Sequence, residues 1–428
     1  MSTCKNVQEI GAIDCINRGF ESCVSTTNDK SLNDVNCVFC GQCIQSCPTG
    51  ALHEKEYVDE VWEKLKDPDT YVIAQTAPAV RVALGEEFGM EIGTNVTGKM
   101  ITALKRLGFD KVFDTNTAAD FTIMEEATEF VKRLKENDNL PMMTSCCPAW
   151  VRLTETEYPE NIPHLSSCKS PHQMFGAILK SYYAEKNNID KNKIYVVSVM
   201  PCVGKKYERQ REELKVDGLW DVDSVITTRE LSRMIKQANI EFTSLEDEKF
   251  DNPMGEATGA AAIFGTTGGV MEAALRTAYH LVTGKELEKD DVVFEDVRGE
   301  KGIKKATIKI EDKEIKVAVA HGLGNARKLS EEIKDGKVDF HFLEVMACPG
   351  GCIMGGGQPI KSSKIRSEVD VRAKRANSIY KIDERSTLRK SHENPIMKEI
   401  YKTYLGEPGE HKSHELLHTK YEQKEKYR

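Results

Sequence analysis

Tyr195-Val196-Val197-Ser198-Val199-Met200 runs straight into Pro201-Cys202-Val203-Gly204-Lys205. The same arrangement recurs twice. Pro141-Met142-Met143-Thr144 leads into Ser145-Cys146-Cys147-Pro148-Ala149-Trp150, and Phe340-His341-Phe342-Leu343-Glu344-Val345-Met346 leads into Ala347-Cys348-Pro349-Gly350-Gly351-Cys352. Each is an apolar run of strand length that ends in a turn bearing cysteine. Tyr71-Val72-Ile73-Ala74 runs likewise toward Pro78, and Lys111-Val112-Phe113 follows an amphipathic helical stretch. Strands alternating with helices predict an α/β core with largely parallel sheets flanked by helices. In such sheets ligands gather beyond the C-terminal ends of the strands. The motifs start at such ends, so Cys147, Cys202, Cys348 and Cys352 can converge from distant parts of the chain. Four thiolates are what a cubane iron–sulfur cluster needs.

A second supply of thiols lies at the N-terminus. Cys37-Val38-Phe39-Cys40-Gly41-Gln42-Cys43-Ile44-Gln45-Ser46-Cys47-Pro48 is the bacterial ferredoxin run, C-x2-C-x2-C-x3-C-P. Zinc knuckles lack the third short spacing and the Cys-Pro ending. The remote ligand expected beside Cys37, Cys40 and Cys43 is Cys4, with Cys47 kept as a further candidate ligand. Cys15 and Cys23 stay open as partners of Cys47 in a second, incomplete site. Seven thiols cannot furnish two all-cysteine cubanes, so a single N-terminal cluster is expected.

Residues 1–54 lack long apolar patterns, which suits a small ferredoxin-like α+β domain organised by metal. Residues 55–368 hold the three distal motifs, and residues 369–428 turn polar, helical and basic, as expected of a helical surface wrap. Lys301 to Val319 alternates charged and apolar residues and predicts an exposed hairpin outside the core sheets. The tail Tyr421 to Arg428 is expected to fray. Phe264-Gly265-Thr266-Thr267-Gly268-Gly269 lacks the Gly-Lys-Ser/Thr ending of a phosphate loop.

The 428 residues carry a net charge of −8, which argues against nucleic-acid binding. No apolar run is long enough to span a membrane. Met1-Ser2-Thr3-Cys4-Lys5 has neither the basic nor the apolar region of a signal peptide, so a cytoplasmic address is expected. In a reducing compartment the 13 cysteines read as metal ligands rather than disulfides.

The distal motifs resemble those of the iron-iron (FeFe) hydrogenases, whose signatures read TSCCPxW, MPCxxKxxE and ExMxCxxGCxxGGGxP. Here they stand at Thr144 to Trp150, Met200 to Glu208 and Glu344 to Pro359, complete and in order. The resemblance runs on to Ser391-His392-Glu393-Asn394 and His414-Glu415-Leu416-Leu417-His418. It implies a short-form hydrogenase with a two-lobed catalytic core, catalysing the reversible reduction of two protons by two electrons to hydrogen. Its cofactor would be an H-cluster, a cubane joined through one cysteine to a diiron subsite with CO, cyanide and a dithiolate bridge. By that resemblance Cys147, Cys202 and Cys348 hold the cubane and Cys352 bridges to the diiron unit. Cys146 exchanges protons with the bridge, Lys205 donates to a cyanide, and Met200, Met346, Pro78 and Phe264 line the pocket. Protons would pass through Cys146, Glu126, Ser166, Glu129 and Arg133. Glu126, Glu129 and Arg133 share one helix face by spacing; alone, such a stripe reads as a solvated face.

Three positions depart from the family pattern. His172 stands where Gln is frequent and could alter the hydrogen bonding around the cofactor's ligands or titrate near neutral pH. Ala79 replaces a Ser of some relatives, and Cys168 reads as a small buried hydrophobe rather than a redox-active thiol. The implied partners are a soluble ferredoxin and the maturation proteins that insert the diiron subsite, with the protein itself a monomer. Two other readings remain. One is a hydrogenase-like iron–sulfur assembly protein without hydrogen chemistry, against which Cys146, Lys205 and Glu126 together speak. The other is a hydrogen sensor, which would carry an added signalling domain.

Overall fold

The structure is a computed structural model and describes residues 1–287, 294–297, 301–311 and 313–426. Beyond the N-terminal hairpin of β1 (Asp14–Ile16) and β2 (Cys23–Ser25), the chain builds two main sheets. Their strands are β3 (Tyr71–Thr76), β4 (Lys111–Asp114), β5 (Met142–Met143), β6 (Ile194–Met200), β7 (Ser224–Thr227), β8 (Ile303–Ile310), β9 (Lys313–His321) and β10 (Phe342–Met346). One sheet is all parallel in the order β4-β3-β6-β7. Its central strands are buried almost throughout, which matches their near-continuous apolar runs. In the other, β9, β10 and β5 run parallel, while β8 joins β9 antiparallel. The predicted α/β core with largely parallel sheets is therefore the observed one.

The hairpin β8–β9 is not outside the core, as its charged alternation suggested. β9 pairs with β10 at the sheet's heart, and the apolar residues of β8 face a buried cluster with Ala274 and Phe342. Its alternation records one wet face of the sheet rather than detachment from it.

The helices are placed by local signals. In α1 (Thr115–Glu136) Asp114 caps the first turn by accepting from Asn116 N at 3.0 Å, and Asn137 closes the end in the left-handed region. In α2 (Pro148–Glu157) the proline occupies the first position, so the helix opens immediately after Cys147. A short helix α3 (Gly204–Glu208) follows Cys202, and α4 (Gly269–Thr283) starts beside Phe264. The C-terminal segment begins with α5 (Val371–Arg385). It wraps the surface as expected, but its contacts reach inside. Arg375 is 1% exposed, donates two 2.8 Å bonds to Glu86, and holds Ile353 O, next to Cys352, at 2.8 Å. The tail does not fray up to residue 426. Tyr421 donates to Cys168 O, and Lys424 N binds Glu155 O at 3.0 Å. Residues 427–428 of that expectation lie outside the described residues. Among the described residues no helix is long and apolar enough to cross a membrane.

Arg375→Met leaves Glu86 with Lys361 as its remaining cation. We expect a loss of about 3 kcal/mol, since a buried carboxylate loses its better partner. Anaerobic urea unfolding reads it as a lowered midpoint, and Glu86→Leu combined with Arg375→Met recovers part of the loss.

Candidate metal centre

Three strand ends deliver the four motif thiols to one cavity of about 90 Å³ lined by Cys147, Cys202, Cys348 and Cys352. The space is several times what one water needs, so it suits a polyatomic group. β5 leads to Cys147, β6 to Cys202 and β10 to Cys348. The thiols are close enough to raise one another's pKa. Burial pushes Cys202 up to about 11, with Cys147 adding to it, and burial pushes Cys348 well above the usual range, with Cys202, Cys147 and Cys352 adding. As bare protein the site therefore holds neutral thiols, and only a strongly charged metal centre displaces their protons. Helix starts help it do so. Ala149 and Trp150 turn backbone N–H groups toward Cys147, and Lys205 N–H turns toward Cys202. The donor set of four soft thiolates fits an iron–sulfur cubane.

Glycine makes the close approach. A side chain at Gly355 would meet Pro201 O at 2.2 Å, and one at Gly356 would meet Cys40 O at 2.7 Å. The second contact docks the N-terminal domain against the motif. Gln42 donates to Met354 O at 3.0 Å, Arg152 to Cys37 O at 2.8 Å, and Cys40 is felt by Cys348. Cys4, Cys37, Cys40 and Cys43 form a second mutually interacting thiol group, with burial raising Cys37 to about 11. Cys47 stands apart: its thiol pairs with the Thr49 hydroxyl, which draws it down to about 6. Cys15 and Cys23 sit exposed on neighbouring cross-strand pairs, Cys15 against Val24 and Cys23 against Ile16, so they point to opposite faces of the hairpin. They cannot share one site with Cys47.

Cys146, Lys205, His172, Met200, Met346, Pro78 and Phe264 line the same cavity. Lys205 Nζ donates to Cys146 O at 2.9 Å and pairs with Glu208 at 3.0 Å. Glu208 is the anchor that spacing alone did not single out, although it closes the MPCxxKxxE motif. Burial alone would raise it, but Lys205 holds its carboxyl well below the usual range. His172 also binds Glu208, and its Nδ1 accepts from the Ser198 hydroxyl at 3.1 Å. Burial, then Lys205, lowers the His172 pKa. It stays neutral and does not titrate near pH 7, contrary to expectation. Ala79 is wholly buried in the wall, and its carbonyl accepts from Gln358 at 2.8 Å.

Glu126 neighbours Cys146 electrostatically. Both of its oxygens are shielded and lack a hydrogen-bond partner among the described residues. Burial, with Glu129 adding, raises it to about 8. Farther out, Ser166 donates to Glu129 Oε2 at 2.8 Å, and Arg133 pairs with Glu129 Oε1 at 2.6 Å. Arg133 also donates to the carbonyls of Asn139, Pro163, His164 and Leu165. Cys168 is fully buried, its thiol raised by burial first, as suits a small neutral core residue. Glu344, unassigned from sequence, accepts from Gly268 N at 2.6 Å and Met271 N at 2.7 Å and so caps α4. Burial raises it to about 7.

A buried group of four thiols beside a second thiol group defines an iron–sulfur redox protein. The comparisons specify it further. Residues 70–356 match the family model for the iron-only hydrogenase large subunit, C-terminal domain, residues 369–424 the iron hydrogenase small subunit, and residues 32–53 a 4Fe-4S binding domain. The chain is 54% identical over 424 residues to the NADP-reducing hydrogenase subunit HndD of Solidesulfovibrio fructosivorans, covering 98% of this chain and 71% of that protein. It is 47% identical over 421 residues to iron hydrogenase 1 of Clostridium pasteurianum, covering 98% and 73%. A solved variant of [FeFe]-hydrogenase HydA1 from Chlamydomonas reinhardtii matches with a TM-score of 0.77 at 43% identity, covering 86% of this chain and 99% of that one. More distantly, protein NAR1 of Arabidopsis thaliana is 32% identical, covering 91% and 85%. The chain belongs to the iron-only hydrogenase family and is an oxidoreductase of hydrogenase type, with an H-cluster and accessory 4Fe-4S binding as its cofactors.

A raised carboxyl has a spectroscopic consequence. At pH 7 Glu126 is protonated, so wild type minus Glu126→Gln shows a protonated-carboxyl infrared band that fades above about pH 8. The sign follows from the shift. Between the ordinary carboxylate pKa and about 8 the folded state holds one proton more than the unfolded state. Stability falls as pH rises through this window, and Glu126→Gln flattens that slope.

Proposed function

We propose that the chain interconverts protons, electrons and hydrogen at an H-cluster held by Cys147, Cys202, Cys348 and Cys352. The convergence of these thiols with Cys146 and Lys205 around one apolar cavity, with Glu126 beside Cys146, is the observation that supports the reading. When bound, the cluster supplies the redox-active irons on which hydrogen chemistry takes place. The chain's own residues orient it, exclude water and move protons. Lys205, kept charged by Glu208, presents an ammonium to an anionic ligand. Met200, Met346, Pro78 and Phe264 keep the pocket apolar, and neutral His172 fixes Glu208.

Cys146 Sγ holds the proton nearest the cofactor. Glu126 is the next station, and its raised pKa lets it both hold and release a proton near neutrality. Ser166 Oγ passes the proton to Glu129 Oε2, with which it is already bonded. Arg133 offers only donors, and its role is to position Glu129.

Electrons enter through a 4Fe-4S cluster on Cys4, Cys37, Cys40 and Cys43. Cys47 is no fifth ligand in this scheme. A soluble ferredoxin is the proposed electron partner and the cytoplasm the proposed address, with maturation proteins inserting the diiron unit. The working division is 1–54 for the ferredoxin-like domain, 55–368 for the catalytic domain and 369–428 for the C-terminal wrap. The chain is also 31% identical over 416 residues to the cytosolic Fe-S cluster assembly factor narfl of Xenopus tropicalis, which favours a cluster carrier as the second reading. The pairing of an unligated Cys146 with a protonatable Glu126 favours hydrogen turnover instead.

The test is hydrogen evolution and infrared spectroscopy of the matured protein. Cys146→Ala should lower turnover at least about 100-fold while the CO and cyanide bands persist. Cys352→Ala should abolish those bands. Loss of the bands in Cys146→Ala, or ordinary turnover without them, overturns the assignment.

A further inference from the structure

We propose that His280, Glu286 and His392 form a binding site for a divalent transition-metal cation of the zinc class, which clamps the C-terminal segment to α4. The three residues come from separate places. His280 lies in the last turn of α4, the chain turns at Gly284 (φ 65°) and brings Glu286 back, and His392 sits in the short 3-10 turn Ser391–Glu393. The two imidazoles stack with centroids 4.0 Å apart and planes 9° from parallel. Glu286 Oε1 is 3.0 Å from His280 Nδ1, and Glu286 Oε2 is 3.4 Å from His392 Nε2. One ligand atom from each residue lies within 4.8 Å of the other two.

The shorter of these separations would allow a hydrogen bond, but its geometry does not. Both ring nitrogens are shielded from solvent and neither makes a hydrogen bond of acceptable geometry among the described residues, although the carboxylate is close. The His392 side chain is only 7% exposed, so its idle nitrogen is a buried polar atom awaiting a partner. Nitrogen and oxygen ligands about 2.0–2.1 Å from a tetrahedral ion lie roughly 3.3 Å from one another. The His–Glu distances, one to each carboxylate oxygen, lie near that edge; because each nitrogen lone pair lies in its ring plane, binding requires one imidazole to turn out of the stack toward the ion.

The surroundings favour a cation. On its other side His392 Nδ1 meets the Thr277 hydroxyl at 3.2 Å. Donation from Nδ1–H to Thr277 leaves the Nε2 lone pair free for metal, the orienting arrangement that histidine ligands need. A cation at the C-terminus of a 15-residue helix also meets the negative end of its dipole. Lys390 Nζ, 2.7 Å from Glu286, neutralises the carboxylate in the metal-free protein and is the group the ion displaces. Two imidazoles and one carboxylate, with a place left for water, match zinc and its neighbours rather than calcium or magnesium. The site lies at the end of α4 opposite Glu344, outside the cavity of the four thiols.

The experiment loads anaerobic holoprotein with one equivalent of Zn²⁺, desalts it, and combines metal analysis with zinc K-edge absorption. Retention of one zinc with a nitrogen/oxygen shell at about 2.0–2.1 Å, lost in His280→Ala and bound at least about tenfold more weakly in Glu286→Gln, supports the site. Equal zinc retention by His280→Ala and wild type overturns it. So does a shell with sulfur at about 2.3 Å, which would place the ion on cysteine instead. The readout is independent of hydrogen turnover.

Discussion

Four sulfur atoms from three strand ends must share one small, dry pocket, and each arrives unwilling to be charged. Burial raises every one of these thiols, and repulsion from the neighbouring thiols raises Cys202, Cys348 and Cys352 further. An iron–sulfur core reverses that balance by putting positive charge at the centre. The fold prepares for it with helix starts at Cys147 and Cys202 and with the ammonium of Lys205. Those starts require three parallel strands to end facing one another, which is why two separate sheets meet at this point. Parallel pairing of β5 with β10 and of β3 with β6 aligns those ends. The glycines of the last motif then let the turns close until backbone touches backbone.

Around this pocket, three carboxyl groups of one chemical type occupy two protonation states. Glu208 is ionised because Lys205 lies 3.0 Å away. Glu126 makes no hydrogen bond of acceptable geometry among the described residues; Ser166 and the Ser145 N–H act on it only weakly, and burial with Glu129 raises it to about 8. Glu344 is raised less, because backbone N–H groups of α4 point at it. The contrast separates roles: a fixed charge that anchors, a proton holder, and a helix cap. A charge fixed beside the pocket and a proton held one step away are what a site that must receive protons in a dry interior requires.

Much of this was legible in the chain because strand ends and cysteine turns are local signals. β6 and β10 read directly, since a strand buried on both faces is an unbroken apolar run. The hairpin β8–β9 misled, because the alternation of a half-wet strand is the same whether its sheet has two strands or five. Glu126 could be put on the right helix face by spacing, yet its burial could not be read. The groups that bear on it, Ser145, Ser166 and Glu344, come from other elements of the fold. His172 misled for the same reason: nothing near it in sequence announces the burial, or the Lys205 charge, that lowers its pKa. Cys15 and Cys23 show the limit most plainly. Their count and proximity suggested shared ligation, and only the cross-strand register puts them back to back.

The C-terminal segment binds other polar residues of α1, the helix that carries Glu126. Asn394 holds Asp120 of α1 at 2.8 Å. Tyr401, Gly409 N and His418 converge on Glu125 at 2.5, 2.7 and 2.9 Å. His418 in turn meets Ser167, next to Ser166, at 2.8 Å. Without these partners the buried carboxylates Asp120 and Glu125 would lose hydrogen bonds that burial makes costly to leave unmade. A basic segment that supplies none of the motif thiols thus holds the polar residues of α1 in place. One of its arginines, Arg375, likewise pairs with the inward-facing Glu86.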